Sequence, residues 1–283
     1  VMKESISTSR TITNTLNYVF CIGLSIIVLF PIYMGVMAGF KTNGQLFTDP
    51  VGLPNPFIGT NYLEILSGTS GAFWKSFRNS LFVSAFTILI TLVVSVMAAF
   101  AIARIKFKAA KILRTYFMLG LMFPLTVAML PLYLQLRSLS LVDKYFGVIL
   151  PQVAFQIPMT VLLLIGFFKG IPNDLEDACS IDGYGPIGFL IHMVIPLSTP
   201  ILATTAIIIL VASWNNFFLP LLVFNSDKLY TLPMGIMAYQ GQYASQWNLV
   251  LAYLTIAMIP AIILFIAGQK YIVAGLTGGA IKG

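Results

Sequence analysis

Apolar residues gather into six uncharged runs near 17–39, 79–103, 115–136, 146–168, 199–224 and 247–269, separated by polar or proline- and glycine-rich stretches. A helix crosses the roughly 30 Å of bilayer hydrocarbon in about 20 residues, and each run is long enough. The pattern predicts an all-α integral membrane protein with six transmembrane helices in a single domain over 1–283. The first run follows Lys3 and Arg10, as the apolar part of a signal peptide would. It is longer than the roughly 7–15 residues of a signal sequence and no small-residue cleavage site follows, so it reads as a retained helix. Composition agrees: 58% of residues are hydrophobic and 9% charged, where soluble domains carry about a quarter charged residues.

The net charge of +7 would suggest nucleic acid in a soluble protein. Here the basic residues lie beside apolar runs, as membrane topology requires, and nucleic acid is discarded. With six spans the alternate loops form two sets. One holds ten basic residues and the other six. Arg104, Lys106, Lys108, Lys111 and Arg114 crowd one short loop of the richer set, which assigns that loop, the loop 170–198, the tail 270–283 and both termini to the cytoplasm.

No Asp, Glu, Lys, Arg or His falls within the spans. Proton-driven carriers need an intramembrane ionisable relay, so this chain carries no coupling machinery of that kind. It also lacks a G-x-x-x-x-G-K-[ST] phosphate loop with which to use ATP itself. A sodium site built from backbone carbonyls and hydroxyls would escape the test for charged groups; otherwise energy for uphill transport comes from another chain. Catalysis is disfavoured too, because the acidic cluster Asp174, Glu176, Asp177 and Asp182 has no companion to complete a nucleophilic set. His192 has no metal-ligand spacing around it, and Cys21 and Cys179 form no disulfide framework. No metal or cofactor is expected in this chain.

Prolines 124, 131, 151 and 158 fall in spans three and four, where each removes a backbone donor and predicts a kink. The segment from Lys41 to Arg78 carries Pro50, Pro54, Pro56, Gly52 and Gly59 and reads as irregular, closing with a short interfacial helix near Trp74. The stretch GIPNDLEDACSIDGYGPIGFLIHMVIPLSTP, from Gly170, is punctuated as a pair of short helices. Asn173 is placed to cap the first, with Glu176 three residues on; Asp174, Glu176 and Asp177 lie at the positive end of its dipole. Gly183 fits the left-handed position after it, Pro186 opens the second helix, and Pro196 closes it. Leu175, Ala178 and Ile181 would line one side, suited to a groove on a partner.

The segment EDACSIDGYGPIGFLIHMVIP resembles the E-A-A-x-x-x-G…I-x-L-P coupling signature of membrane subunits of ATP-binding-cassette importers. Asp177, Ala178 and Cys179 take the E-A-A positions, Gly183 the glycine, and Met193 to Pro196 the closing tetrad. PLYLQLRSLSLVDKYFGVILPQ, WNNFFLPLL and the tail GLTGGAIKG are similar to the maltose-type sugar permeases of that group. The resemblance implies a type I importer permease in a prokaryotic plasma membrane. Its implied partners are a second, homologous permease, two ATPase subunits and an extracytoplasmic solute-binding protein, with ATP and Mg²⁺ held by the ATPase. It makes Glu176, Asp177, Ala178, Gly183 and Pro196 coupling residues and Gly278, Gly279 and Lys282 tail contacts. Which of the two neighbouring carboxylates matters stays open.

Sugars are held by hydrogen bonds and by stacking on aromatic rings. Candidates at membrane depth are Gln152 and Gln156, one turn apart, and the block Trp214, Asn215 and Asn216, with Tyr33 and Tyr239 as weaker ones. The competing role for these side chains is hydrogen bonding between helices. Other solutes, such as a polyol or glycerol phosphate, remain alternatives, as does a carrier acting alone. An anionic solute would call for a cationic group that the spans lack.

Overall fold

The structure is a computed structural model that describes residues 2–68, 72–240 and 246–280. In chain order its helices are α1 (Met2–Ala38), α2 (Asn43–Thr48), α3 (Thr60–Ser67), α4 (Ala72–Arg104), α5 (Ala110–Leu121), α6 (Leu125–Ser138), α7 (Tyr145–Lys169) and α8 (Asn173–Ile181). They are followed by α9 (Pro186–Leu197), α10 (Thr199–Trp214), α11 (Phe218–Val223) and α12 (Trp247–Ala280). Two units are distinguished, one of residues 1–71 and 236–258, the other of residues 72–235 and 259–283.

In the first unit the apolar stretch Asn14–Ala38 of α1 leaves residues such as Phe20, Ile27 and Leu29 exposed, as expected of a helix whose neighbours are lipid or another chain. The segment after it is more ordered than its prolines and glycines predict. Thr42 and Gln45 form a capping box, with Thr42 Oγ1 accepting the Gln45 N–H at 3.1 Å and Gln45 Oε1 accepting the Thr42 N–H at 3.0 Å, which satisfies two otherwise orphaned donors at the start of α2. Asn61 on α3 donates to the carbonyls of Gly39 and Lys41, each at 2.9 Å, and Asn248 donates to Asn61 at 3.2 Å. Lys41, 1% exposed, turns its Nζ onto the carbonyls of Asp49 (2.7 Å) and Pro50 (3.1 Å). Two short helices, α2 and α3, stand in the segment, and Trp74 lies not in a short closing helix but in the first turn of α4.

In the second unit α4 packs along α7 and α10, and α5 along α7. The face that α4 buries is largely hydroxylic: Ser80, Ser84, Thr87, Thr91 and Ser95 recur at three- and four-residue spacing, each at most 2% exposed. Small side chains let helix backbones approach closely in a membrane, where hydrophobicity alone cannot hold helices together. Below this stripe, Phe100, Leu164, Ile165, Phe168, Cys179, Phe189 and Val194 form an apolar core.

Two predicted spans are broken. The run 115–136 is α5 and α6, bent by 100° between Leu121 and Leu125. Pro124 lacks an N–H and disfavours helical backbone in the residue before it, and it stands as the extended cap of α6. The run 199–224 ends as a helix at Trp214, and α11 is a separate turn of helix. Thr199–Trp214 pairs instead with Pro186–Leu197, at a 76° bend. Among the described residues four helices are long and apolar enough to cross a membrane, and six spans result when each bent pair counts as one. By contrast α7 carries Pro151 and Pro158 and continues from Tyr145 to Lys169.

Candidate functional site

Two groups of predicted residues lie in the second unit, and their geometry differs. Gln152, 5% exposed, sits on α7 where it meets both α4 and α10. Its Oε1 accepts from Ser213 Oγ at 2.6 Å and from Thr87 Oγ1 at 3.3 Å, and Ser84 Oγ donates to Ser213 Oγ at 3.1 Å. Three helices are thereby tied at one amide, the interhelical role that competes with ligand binding. The amide is not fully used, however. Gln152 Nε2, Thr91 Oγ1 and Ser95 Oγ are buried with no hydrogen-bond partner among the described residues. An unmet buried polar group costs about 1–3 kcal/mol, so these atoms mark places where water or a polar ligand is favoured. What they offer is hydrogen bonding without charge.

The other path candidates are not gathered around Gln152. Gln156 is half-buried one turn further along α7, its carbonyl accepting from Thr160 Oγ1 at 2.9 Å. Trp214 is buried at the end of α10, edge-on to Phe77 with ring centroids 5.7 Å apart. Asn215 is exposed, and Asn216 Oδ1 accepts the Leu219 N–H at 3.1 Å, which starts α11. Asn215 and Asn216 thus fall in the break between α10 and α11, where the Asn216 amide accepts a backbone N–H. Tyr33 and Tyr239 lie in the other unit, Tyr239 beside Tyr253 at 5.7 Å.

The segment 170–198 forms the expected helix pair, with three corrections. Pro172, not Asn173, is the cap residue of α8, and no side chain caps it. Asn173 is already the first helical residue, and its Oδ1 accepts from Arg104 Nη1 at 2.8 Å. Second, α8 turns Leu175 and Cys179 toward the core and leaves Ala178 exposed and Ile181 86% exposed. A three-residue step of 300° and a four-residue step of about 400° bracket one full turn, so Leu175 and Cys179 share a face from which Ile181 diverges. Third, Pro196 does not end α9. Leu190 to Val194 form a π-turn, closed by the Ile195 N–H on the Leu190 carbonyl, and the helix runs to Leu197. A proline has no N–H for the carbonyl four residues back, and a π-turn just before it is one way to absorb that mismatch.

The turn between α8 and α9 matches its prediction closely. The Gly183 N–H meets the Ser180 carbonyl at 3.1 Å and the Tyr184 N–H meets the Cys179 carbonyl at 2.9 Å, the paired bonds of a Schellman motif, with Gly183 at φ +85°. Pro186 takes the first helical position of α9. Glu176 Oε2 lies 3.6 Å from Arg104 Nη1, while Asp177 is exposed. Gly278 and Gly279 fall within α12, and Lys282 lies outside the described residues.

Against known proteins, residues 91–278 match the family model described as binding-protein-dependent transport system inner membrane component. The chain belongs to this family. A probable ABC transporter permease of Bacillus subtilis, YurM, is 33% identical over 94% of the chain and 88% of its own length. The trehalose/maltose transport system permease MalG of Thermococcus litoralis is 34% identical, over 92% of the chain and 94% of its own length. The fold matches a chain of a bacterial ABC transporter involved in the import of the acidic polysaccharide alginate. That match has a TM-score of 0.80, 22% identity, and covers 93% of this chain and 97% of the other. This family member is a multi-pass membrane transport component.

Two features escaped the sequence reading. Counting charges inside the spans passes over the hydroxyl stripe of α4, although its spacing is visible. Arg104 read as one of five topology-setting cations, and nothing local in the sequence marks it as reaching across to α8.

Proposed function

We propose that this permease is one half of a heterodimeric, ATP-driven importer for a neutral sugar or oligosaccharide, with a second permease, two ATPase subunits and a solute-binding protein as partners. Both termini and the α8–α9 segment face the cytoplasm in this reading. The observation that carries it is the near full-length similarity to permeases of ABC systems, one of them named for trehalose and maltose. The chemistry on α4, α7 and α10 is in keeping: amide and hydroxyl groups without charge, where an anionic cargo would call for a guanidinium or ammonium.

The α8–α9 segment docks on an ATPase that holds the ATP and Mg²⁺. Glu176, Asp177, Ala178, Gly183 and Pro196 form or shape the docking segment. Asp177 and Ala178 are exposed, whereas Glu176 is drawn toward Arg104, which favours Asp177 as the carboxylate offered to the partner. Gly278, Gly279 and Lys282 make further ATPase contacts. Gln152 and Gln156 border the solute path, with Trp214, Asn215 and Asn216 at its margin. As the ATPases close and reopen, the pathway alternates its opening between the two sides of the membrane.

The test is affinity purification of the tagged chain from its native membranes in mild detergent, with mass spectrometry of what accompanies it. The proposal expects a second permease and a P-loop ATPase in stable amounts. A chain that purifies alone and carries solute in liposomes without ATP overturns it.

A further inference from the structure

At the end of a membrane helix an arginine ordinarily serves topology and the helix dipole, pointing into water or headgroups. Arg104 does neither in the ordinary way, because its side chain is 5% exposed. Its two terminal nitrogens engage the segment between α7 and α10, while Nε is buried with no hydrogen-bond partner among the described residues. Nη2 donates to the Ile171 carbonyl, Nη1 donates to Asn173 Oδ1 at 2.8 Å and lies 3.6 Å from Glu176 Oε2, and the group lies 5.8 Å from the ring centre of Phe189. One planar cation therefore holds the entry to α8, the first turn of α8 and the body of α9 at once. Phe189 is itself 2% exposed in the core between these helices.

The same helix that ends at Arg104 carries Thr87 and Ser84, the partners of Gln152 and Ser213. From Thr87 to Arg104 is about 25 Å of helix at 1.5 Å per residue. We propose that Arg104 is a positioning residue that locks the α8–α9 segment to α4, so that the two move as one body and displacement of the segment is delivered to the Gln152 junction. This rests on the reading of the chain as an ATPase-coupled permease. A lysine keeps the charge but loses the fork and the flat face, since an ammonium cannot serve four partners spread around a plane.

Spin labels at Ile181 on α8 and Leu89 on α4, both exposed, report the linkage in the assembled transporter. Cys21 is exposed and is replaced by serine beforehand, while Cys179 is buried. The probe is ATP with Mg²⁺, and no sugar is needed. The proposal expects one distance population in the parent, unchanged on adding MgATP. In Arg104→Lys a second population appears, displaced by the roughly 1–5 Å that helices shift in such transitions. Should Arg104→Lys fail to assemble, Asn173→Ala, which removes one partner, is expected to bring the same second population in smaller proportion. A parent distance that itself changes with MgATP overturns the proposal, as does a single unchanged population in the variant measured. If no ATPase assembles with the parent, the ATPase-coupled reading falls first and this inference with it.

Discussion

Gly183 offers the cleanest separation of backbone from side-chain effects. Its φ of +85° closes the Schellman turn between α8 and α9, and a Cβ added there would meet nothing within 4 Å. A substitution is therefore penalised by conformation alone, not by collision within the chain. Left-handed backbone costs a residue with a Cβ roughly 1–2 kcal/mol, whereas asparagine tolerates it. A loss of that size shifts the balance between the closed and frayed turn by about 5- to 30-fold. Gly183→Asn should thus stay near the parent, Gly183→Ala should lose function in part, and Gly183→Val should lose most, because branching at Cβ tightens the restriction. The assay is solute-driven ATP hydrolysis by the assembled transporter, with membrane insertion measured alongside, and insertion is expected to be normal in all three. Equal damage from Asn and Val would mean that the side chain obstructs a partner surface and that the turn is not the cause. Parent-like behaviour of Val would remove the conformational argument altogether.

Gln152→Met preserves shape while removing the acceptor shared by Ser213 and Thr87. Because the unmet Nε2 is removed as well, the net loss in stability of the detergent-solubilised permease should be about 1 kcal/mol, with Ser213→Ala costing less; no change in melting would deny the junction its role. Asp177→Asn should weaken ATPase retention during purification more than Glu176→Gln, since Asp177 is exposed and Glu176 faces Arg104; the reverse order in a quantitative pull-down would reassign the docking carboxylate. Burial raises the Tyr62 phenol above its ordinary value, with a hydrogen bond to Thr255 pulling the other way. A raised folded value leaves this contribution to stability intact below about pH 10 and removes it as pH climbs through the folded value. Melting measured from pH 9 to 11 should fall less steeply in Tyr62→Phe; identical slopes would contradict the assignment.

The apolar runs made α4 and α7 legible because each is a long helix whose membrane-facing side chains need only be hydrophobic. The breaks were less legible, because mean hydropathy does not register backbone geometry. Pro124 ends α5 and opens α6 within a run that still reads as apolar, and Asn216, polar within another apolar run, accepts the Leu219 N–H at the start of α11. In the α8–α9 segment, glycine and proline carry their own conformational rules, so Gly183 and Pro186 fell where expected. Asn173 did not, since its side chain answers to Arg104, a partner 69 residues away. Long-range pairings such as this one, or Ser213 with Gln152, leave no local periodicity to read. Cys179 illustrates the same limit: a departure from the E-A-A pattern on paper, it packs as a small buried apolar residue.

Under the proposed function, this permease moves its solute only when another chain hydrolyses ATP. The direct measurement is uptake of radiolabelled neutral oligosaccharides into proteoliposomes holding the purified assembly, with ATP and Mg²⁺ inside and the solute-binding protein outside. Uptake that requires both ATP and the binding protein, and is indifferent to collapse of ion gradients, is the predicted result. Uptake by the chain alone, driven by a sodium or proton gradient without ATP, would contradict it.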